Sequence, residues 1–221
     1  MKPIFTLPLP RRPRATLPLR KSKNLSEQTE PPHSLEAIVV DPGYEIPRIL
    51  ALLARHHLTV KRIVVTHAHI DHIASAQTLK EITGAPVIYN QADLPLVAMM
   101  DAQAGWIGVP TPTVRSPDHS PQDEETISVQ GLQGKVIFTP GHTEGSLCFY
   151  LPQHHLLLAG DTLFTGSIGR TDLPGGNTSK LLNSLRQRLL PLPDQTLVIP
   201  GHDPSTTIGT ERMQNPFLTE D

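Results

Sequence analysis

The sequence of 221 residues contains one cysteine, few aromatic side chains and no long apolar run. A single cysteine excludes an internal disulfide and with it a disulfide-stapled secreted scaffold, so we expect a cytoplasmic protein. No stretch approaches the about 18 apolar residues that a membrane-spanning helix needs, so no membrane insertion is expected. The sequence also lacks a large excess of charge of one sign, with 19 basic against 21 acidic residues. This balance does not indicate a nucleic-acid-binding protein.

Proline, in contrast, is plentiful, and it is concentrated at the start of the chain. Residues 1–34 carry seven prolines and a cluster of basic side chains. Each proline lacks an N–H and fixes φ, which prevents helices and central strands. We therefore predict a Pro-rich, basic, disordered extension at 1–34 and one folded domain at 35–221.

From residue 35 onward, short apolar runs alternate with helical periodicity. The pattern predicts strands at 37–40, 62–66, 86–89, 126–130, 135–139, 146–151, 155–159 and 196–199. It predicts helices at 46–56, 70–83, 91–103 and 179–190. Strands in both halves with helices between them predict an α/β fold in which two sheets pack together and helices cover them outside.

The strongest chemical motif directly follows the second predicted strand. The six residues are His67, Ala68, His69, Ile70, Asp71 and His72. In an extended loop, residues i and i+2 project to the same side, so His67 and His69 can share one metal ion. Asp71 and His72 begin the next helix and point back toward the same place. This spacing favours a metal site over a chance polar loop.

Three later segments share one architecture, in which a strand is followed by a glycine and then by a metal-type ligand. The ligands are His142, Asp161 and His202, each directly after a glycine. Strand ends are rigid supports, and the adjacent glycine lets the backbone approach an ion closely. Together with the hexapeptide they supply five imidazoles and two carboxylates, which is the ligand count for two adjacent metal ions.

The order of these motifs resembles the metallo-β-lactamase-fold hydrolases and, within them, the glyoxalase II-like (hydroxyacylglutathione hydrolase-like) thioesterases. The similar segments are DPG at 41–43, THAHIDH at 66–72, PGHTEGS at 140–146, GDTLF at 160–164, GRTDLPGG at 169–176 and PGHDPSTTIGTERMQNPFL at 200–218. The resemblance implies an αββα sandwich. Relatives begin with strands before the DPG segment, and the proline-rich start has no such match. We therefore expect a sandwich that lacks its first strands and exposes a sheet edge.

The resemblance also implies a division of the ligands. The first metal ion would be bound by His67, His69 and His142. The second would be bound by Asp71, His72 and His202, with Asp161 bridging the two. Two Zn²⁺ ions are expected, and Fe or Mn also suits the site with added carboxylate.

One further carboxylate, Asp41, resembles the family's residue that hydrogen-bonds a ligand imidazole and fixes its tautomer. The alternative for Asp41 is a turn-capping role before Pro42 and Gly43.

The implied reaction is hydrolysis of a small-molecule thioester by a metal-bound hydroxide that Asp71 orients. A thiolate leaves without a dedicated proton donor, because the pKa of its conjugate acid is about 8.5. No serine or cysteine nucleophile is needed, and Cys148, between two apolar neighbours, is expected in the core. Glyoxalase II enzymes add a C-terminal helical domain that holds glutathione, and the sequence ends shortly after NPFL.

Two alternatives stay open. A persulfide dioxygenase with a single Fe(II) would use His67, His142 and Asp161, since two histidines and one carboxylate suit oxygen activation. A catalytically silent metal-binding relative is the third possibility. The Arg170-Thr171-Asp172 segment would either structure the loop beside the metals, which we favour, or contact an acidic substrate.

Overall fold

The computed structural model of the chain describes residues 35–219, so the predicted extension at 1–34 lies outside the described residues. The strands are β1 (Leu35–Val40), β2 (Leu58–Val64), β3 (Val87–Ile88), β4 (Thr126–Val129), β5 (Leu132–Phe138), β6 (Leu147–Leu151), β7 (Leu156–Gly160), β8 (Leu163–Phe164), β9 (Ser167–Ile168), β10 (Leu197–Pro200) and β11 (Thr206–Thr207). The helices are α1 (Ile46–Arg55), α2 (Ile70–Ile73), α3 (Ala76–Thr83), α4 (Leu94–Ala98), α5 (Met100–Ile107), α6 (Thr178–Ser184), α7 (Ile208–Gln214) and α8 (Pro216–Thr219).

Two main sheets form the centre of the fold. The first is parallel and has the order β1-β2-β3, and the second has the order β11-β10-β7-β6-β5-β4. Strand β6 lies in the middle of the second sheet, and all five of its residues are buried. The sequence of a strand that is buried on both faces is typically a continuous apolar run, and the sequence of β6, LCFYL, is of this kind.

The core consists of three apolar layers, which confirm the predicted helix–sheet–sheet–helix sandwich. The middle layer lies between the sheets and includes Val40, Val64 and Phe149. The first outer layer packs α1, α3 and α5 on the parallel sheet. The second outer layer packs α6, α7 and α8 on the other sheet and contains Cys148, the predicted core cysteine, which is fully buried.

Among residues 35–219, β1 is an edge strand of the parallel sheet. The expectation that the first strands are lacking falls on residues 1–34, outside the described residues. Strand β1 pairs with β2 on one side, and no strand of residues 35–219 pairs with its other side. Its residues 37–40 are nevertheless buried. A carboxylate oxygen of Glu36 accepts a hydrogen bond from the backbone N–H of Gln130 at 2.7 Å, which links this edge to the second sheet.

The predicted helix at 70–83 is wrong as a single element, because the structure divides it into α2 and α3. Ser75 between them has non-helical backbone angles, with φ −100° and ψ 4°. Its amide donates to the carbonyl of Pro42 at 2.9 Å, so this long-range bond replaces a helical one.

The predicted helix at 91–103 is also divided, into a 3₁₀ turn at Gln91–Asp93 followed by α4 and α5. The helix predicted at 179–190 begins as α6 and ends in a π-helical turn at Leu185–Leu189. Helices α7 and α8 and the two-residue strands β8, β9 and β11 were not predicted, since such short segments carry little periodic signal. No helix of the described range has the length and apolarity to span a membrane.

Candidate metal centre

All the candidate ligands lie at one end of the two sheets. His67 and His69 follow β2, and His142 lies in the turn after β5. Asp161 follows β7 and His202 follows β10, two strands that run parallel to each other. The carboxyl ends of these strands meet at the same edge, and the segments after them therefore converge.

The structure brings the seven predicted residues into three overlapping groups whose ligand-type atoms lie within 4.8 Å of one another. The groups are His67, His69 and His142; His67, His72 and Asp161; and Asp71, His72 and His202. The first and last groups coincide with the predicted division into two sites, and the middle group joins them through Asp161. No predicted ligand lies elsewhere.

The three histidines of the first group converge on one point. Nε2 of His142 lies 2.9 Å from Nδ1 of His69 and 3.2 Å from Nε2 of His67. Ligand atoms about 2.0–2.1 Å from a tetrahedral zinc ion are separated by roughly 3.3 Å. The two measured separations are close to that value, so these nitrogens are near enough to share one metal ion.

The second group is more acidic and more open to solvent. Nε2 of His202 lies 3.1 Å from Oδ2 of Asp71 and 3.6 Å from Oδ2 of Asp161. His72 is fully buried, whereas the side chains of Asp71 and His202 are 33% and 41% exposed. Water and a substrate can therefore reach this half of the centre.

The outer nitrogens of three histidines are held by neighbouring groups. Nδ1 of His72 contacts Oδ2 of Asp41 at 2.8 Å, and Nδ1 of His142 contacts the carbonyl of Arg170 at 2.7 Å. Nδ1 of His67 lies 3.1 Å from the hydroxyl of Thr66. Partners of this kind fix the ring orientation, so that Nε2 of each histidine points inward.

Burial is the largest single influence on the pKa values of His69, His72 and His142. It lowers the pKa of His69 to about 4 and also lowers that of His142. Burial acts to lower the pKa of His72 as well, but the carboxylates of Asp41 and Asp161 outweigh it and raise that pKa to about 10. The first two imidazoles are therefore neutral at pH 7 and can donate a lone pair to a metal ion.

Two side chains that the sequence analysis did not single out, the carboxylate of Asp93 and the carboxamide of Gln103, hold the loops that carry the candidate ligands. Asp93 accepts hydrogen bonds from the amides of Ala68 and Gly145 at 2.9 and 2.7 Å, and from the Thr143 hydroxyl at 3.0 Å. It therefore joins the loop of His67 to the loop of His142. Its sequence context, YNQADLP, gave no signal of a buried acid.

Gln103 anchors the same loop from the other side. Its side-chain oxygen accepts from the amide of Ile70 at 2.9 Å, and its nitrogen donates to the carbonyl of Leu96 at 2.8 Å. In the sequence, Gln103 lies at the end of a predicted helix, and nothing there indicated that its side chain would bind a distant backbone.

The glycine before His202 permits the close approach that the sequence suggested. A Cβ atom at Gly201 would lie 2.3 Å from Oδ1 of Asp161 and 2.5 Å from Cε1 of His72. Such contacts are not tolerated, so any side chain at Gly201 would displace one of these groups.

The donor set fits a bound metal. Nε2 of His72 and Oδ1 of Asp161 are buried in ion-pair contact at 3.2 Å, yet neither makes a hydrogen bond of favourable geometry with the described residues. An unsatisfied buried polar atom costs about 1–3 kcal/mol, and a shared cation removes that cost for both. Imidazole-rich ligands suit Zn²⁺, while added carboxylate also accommodates Fe or Mn.

A cavity of about 570 Å³ opens onto this cluster. It is lined by the ligand residues His69, Asp71, His142, Asp161 and His202, and by Ile70, Gln103, Trp106, Ile107, Arg170 and Leu173. The guanidinium of Arg170 forms a bidentate pair with Asp172, at 2.7 Å for both contacts. The pair lies within the loop whose Arg170 carbonyl contacts Nδ1 of His142, and the structuring role of this segment stays a prediction.

Comparison with known proteins agrees with the motifs. A model described as the metallo-β-lactamase superfamily matches residues 33–202. The probable metallo-hydrolase YqgX of Bacillus subtilis is 37% identical over 184 residues, covering 83% of this chain and 87% of that protein. Hydroxyacylglutathione hydrolase GloC of Haemophilus influenzae is 36% identical over 184 residues, covering 82% and 87%.

Three solved structures have the same fold. The BLEG-1 B3 metallo-β-lactamase has a TM-score of 0.79 at 36% identity, covering 86% of this chain and 91% of that one. TTHA1623, in a di-iron-bound form, has a TM-score of 0.73 at 40% identity, covering 82% and 89%. ETHE1 from Myxococcus xanthus has a TM-score of 0.69 at 31% identity, covering 86% and 75%.

Proposed function

This chain belongs to the metallo-β-lactamase superfamily, and we propose that it is a metal-dependent hydrolase that cleaves a small thioester with water. The observation that carries the proposal is the convergence of five imidazoles and two carboxylates into three overlapping groups beside a cavity. Zn²⁺ is the proposed metal, two ions per chain, with Fe or Mn also compatible with the donor set.

Each group of residues has a distinct part in the proposed reaction. Metal ions bound in such a pair lower the pKa of water and polarise a carbonyl oxygen. Asp71 would orient the attacking water and accept its proton, because its carboxylate faces the cavity and is partly exposed. Asp41 and Thr66 would hold His72 and His67 in their orientations, and Asp93 would keep the two histidine loops together.

A thioester suits this site better than an ester or amide. The leaving thiolate needs no proton donor at neutral pH, since the pKa of a thiol is about 8.5. Apart from the ligand residues, the cavity lining offers Gln103 and Arg170 as polar side chains, and Arg170 is paired with Asp172. The 36% identity to a protein named hydroxyacylglutathione hydrolase supports the same reaction class.

The test is a panel of acyl-thiol esters assayed with zinc-loaded and iron-loaded protein, with release of free thiol as the readout. We expect hydrolysis that requires metal and that falls at least about 1000-fold in His67→Ala, because this side chain belongs to two of the three ligand groups. His154→Ala, a change at an exposed histidine outside the groups, is the matched control. Equal rates for His67→Ala and the unchanged protein would refute the proposal.

The second candidate is a persulfide dioxygenase with one Fe(II). His67, His142 and Asp161 lie around one point, with Nε2 of His142 3.2 Å from Nε2 of His67 and 3.8 Å from Oδ2 of Asp161. The iron in the structurally similar TTHA1623 also favours an iron site. The group of Asp71, His72 and His202 has no part in that chemistry, which is why hydrolysis is preferred. Oxygen uptake with glutathione persulfide as substrate separates the two candidates.

A further inference from the structure

The cavity beside the candidate metal centre has an apolar wall, formed by Trp106, Ile107 and Leu173. All three side chains line the cavity of about 570 Å³ that also contains the ligand residues. Trp106 and Ile107 are 56% and 51% exposed, although they are large hydrophobic side chains. Large apolar side chains left exposed in a concave site are typical of ligand-binding surfaces.

Helix α5 fixes the position of the wall. Gln103, Trp106 and Ile107 have the spacing i, i+3 and i+4, which places them on one face of the helix. The helix ends at Gly108, whose φ of +70° stops it directly after Ile107. The side chain of Gln103 is in turn hydrogen-bonded to the backbone of Ile70, so the wall is tied to the loop that carries the candidate ligands.

The residues that line the cavity provide little positive charge for binding an anionic substrate. Among residues 35–219, Arg170 is the one lysine or arginine that lines the cavity, and its guanidinium is paired with both carboxylate oxygens of Asp172. Asp71, which also lines the cavity, adds a negative charge. A substrate that carries several carboxylates, as glutathione does, would meet no lysine or arginine in the described part of this lining other than Arg170, which is paired with Asp172.

We propose that the cavity selects a thioester that carries an apolar aliphatic or aromatic chain, and that this chain lies against Trp106, Ile107 and Leu173. The inference rests on the proposed function and narrows its substrate class. The apolar chain can belong to the acyl group or to the thiol, and the two sources give different results in the test below.

Trp106 supplies a direct binding signal, because it is the only tryptophan of the chain. The probes are 2-oxoalkyl thioethers of N-acetylcysteamine, which are neutral and in which a methylene group between sulfur and carbonyl prevents hydrolysis. Titration of the metal-loaded full-length chain with C3 to C10 members should change the tryptophan emission. The Kd should fall by up to about fourfold for each added CH₂ that the wall buries.

A second series and a charged series complete the binding experiment. Methyl ketone thioethers of alkanethiols place the lengthening chain on the thiol side, so the series with the gradient identifies which end contacts the wall. The matching 2-oxoalkyl glutathiones test charge. Absence of a gradient in both neutral series, or tighter binding of the glutathione compounds at every chain length, would overturn the proposal. A tryptophan emission that changes with protein concentration alone would also overturn it, because a second copy would then cover Trp106.

Steady-state kinetics provide an independent test of the role of Trp106. Trp106→Ala should lower the ratio of kcat/KM for octanoyl over acetyl thioester about tenfold, mainly through the KM for the octanoyl substrate, and Trp106→Phe should restore most of it. Met213→Ala removes another exposed apolar side chain, one outside the cavity lining, and should leave the ratio unchanged. A ratio that Trp106→Ala does not alter would overturn the proposal.

The two proposals fail in distinguishable ways. A chain-length gradient in binding without hydrolysis of any thioester refutes the proposed function and supports the apolar site. Thioester hydrolysis without a gradient refutes the apolar site and leaves the proposed function standing.

Discussion

Nδ1 of His72 lies 2.8 Å from Oδ2 of Asp41, and the same carboxylate accepts hydrogen bonds from the amide and hydroxyl of Thr66 at 2.7 and 2.8 Å. The contact joins the end of β1 to the first turn of α2. It confirms the expectation that Asp41 hydrogen-bonds a candidate ligand imidazole, because its side chain reaches His72 and Thr66. A carboxylate in this position sets the tautomer of the ring and leaves Nε2 facing the centre.

Removing the charge of Asp41 should therefore weaken metal binding without changing the candidate ligands. Asp41→Asn is expected to lower metal affinity about 10–100-fold, the usual effect of losing an outer hydrogen-bond partner. The measurement is competition with a zinc chelator. Asp101→Asn, at an exposed position on α5, is the matched control and should bind as the unchanged protein does. An affinity within about twofold of the control would contradict this role of Asp41.

Asp93 should be more important for folding than its position in a loop suggests. Asp93→Ala leaves two buried backbone amides and the Thr143 hydroxyl without the carboxylate that they contact. The expected loss is about 2–4 kcal/mol in the free energy of unfolding, since hydrogen bonds to charged groups contribute about 1.5–3 kcal/mol each and waters can replace some of them. Urea denaturation measures it, with Asp101→Ala as control. A loss below about 0.5 kcal/mol would show that the loops are held by other contacts.

Gly201→Ala should damage the centre while leaving the fold intact. The new methyl group would overlap Oδ1 of Asp161 and Cε1 of His72. We expect the metal content to fall by about one ion per chain, with an unchanged far-ultraviolet circular dichroism spectrum. In Gly105→Ala the added Cβ meets no atom within 4 Å, so this variant should keep its metal. Full metal occupancy in Gly201→Ala would argue against the placement of the loop after β10.

The single cysteine should be unreactive in the folded protein. Burial raises the pKa of Cys148 to about 11, so at pH 8 the native side chain stays a protonated thiol. In the unfolded chain the pKa returns to about 8.5, and a substantial fraction becomes thiolate. Iodoacetamide labelling followed by mass spectrometry should be at least about 100-fold slower in the native protein than in urea. Fast native labelling would contradict the buried position of this strand.

The sequence predicted the layers of the fold and all seven candidate ligands because those signals are local. Four of the ligand positions lie within the six residues 67–72, and each of the other three follows a strand and a glycine. Asp93 and Gln103 escaped notice because their contacts are distant in sequence. Asp93 lies 25 residues from Ala68 and 50 from Thr143, and Gln103 lies 33 from Ile70.

The division of the predicted helix at 70–83 also results from a contact that is distant in sequence. Periodicity runs on through residue 75, but the amide of Ser75 bonds to Pro42, a turn more than thirty residues earlier. Local patterns describe which residues face the core, whereas long-range hydrogen bonds decide where an element is interrupted. The roles of the individual ligands stay predictions until metal is measured.

Metal stoichiometry tests the central claim most directly. Elemental analysis of the purified full-length chain, reconstituted with zinc or iron and freed of excess metal, should give about two ions per chain. His202→Ala should retain about one ion, because His202 belongs to the second group alone. A value near zero would contradict the convergence of these side chains on metal, and a value near one iron would favour the dioxygenase over the hydrolase.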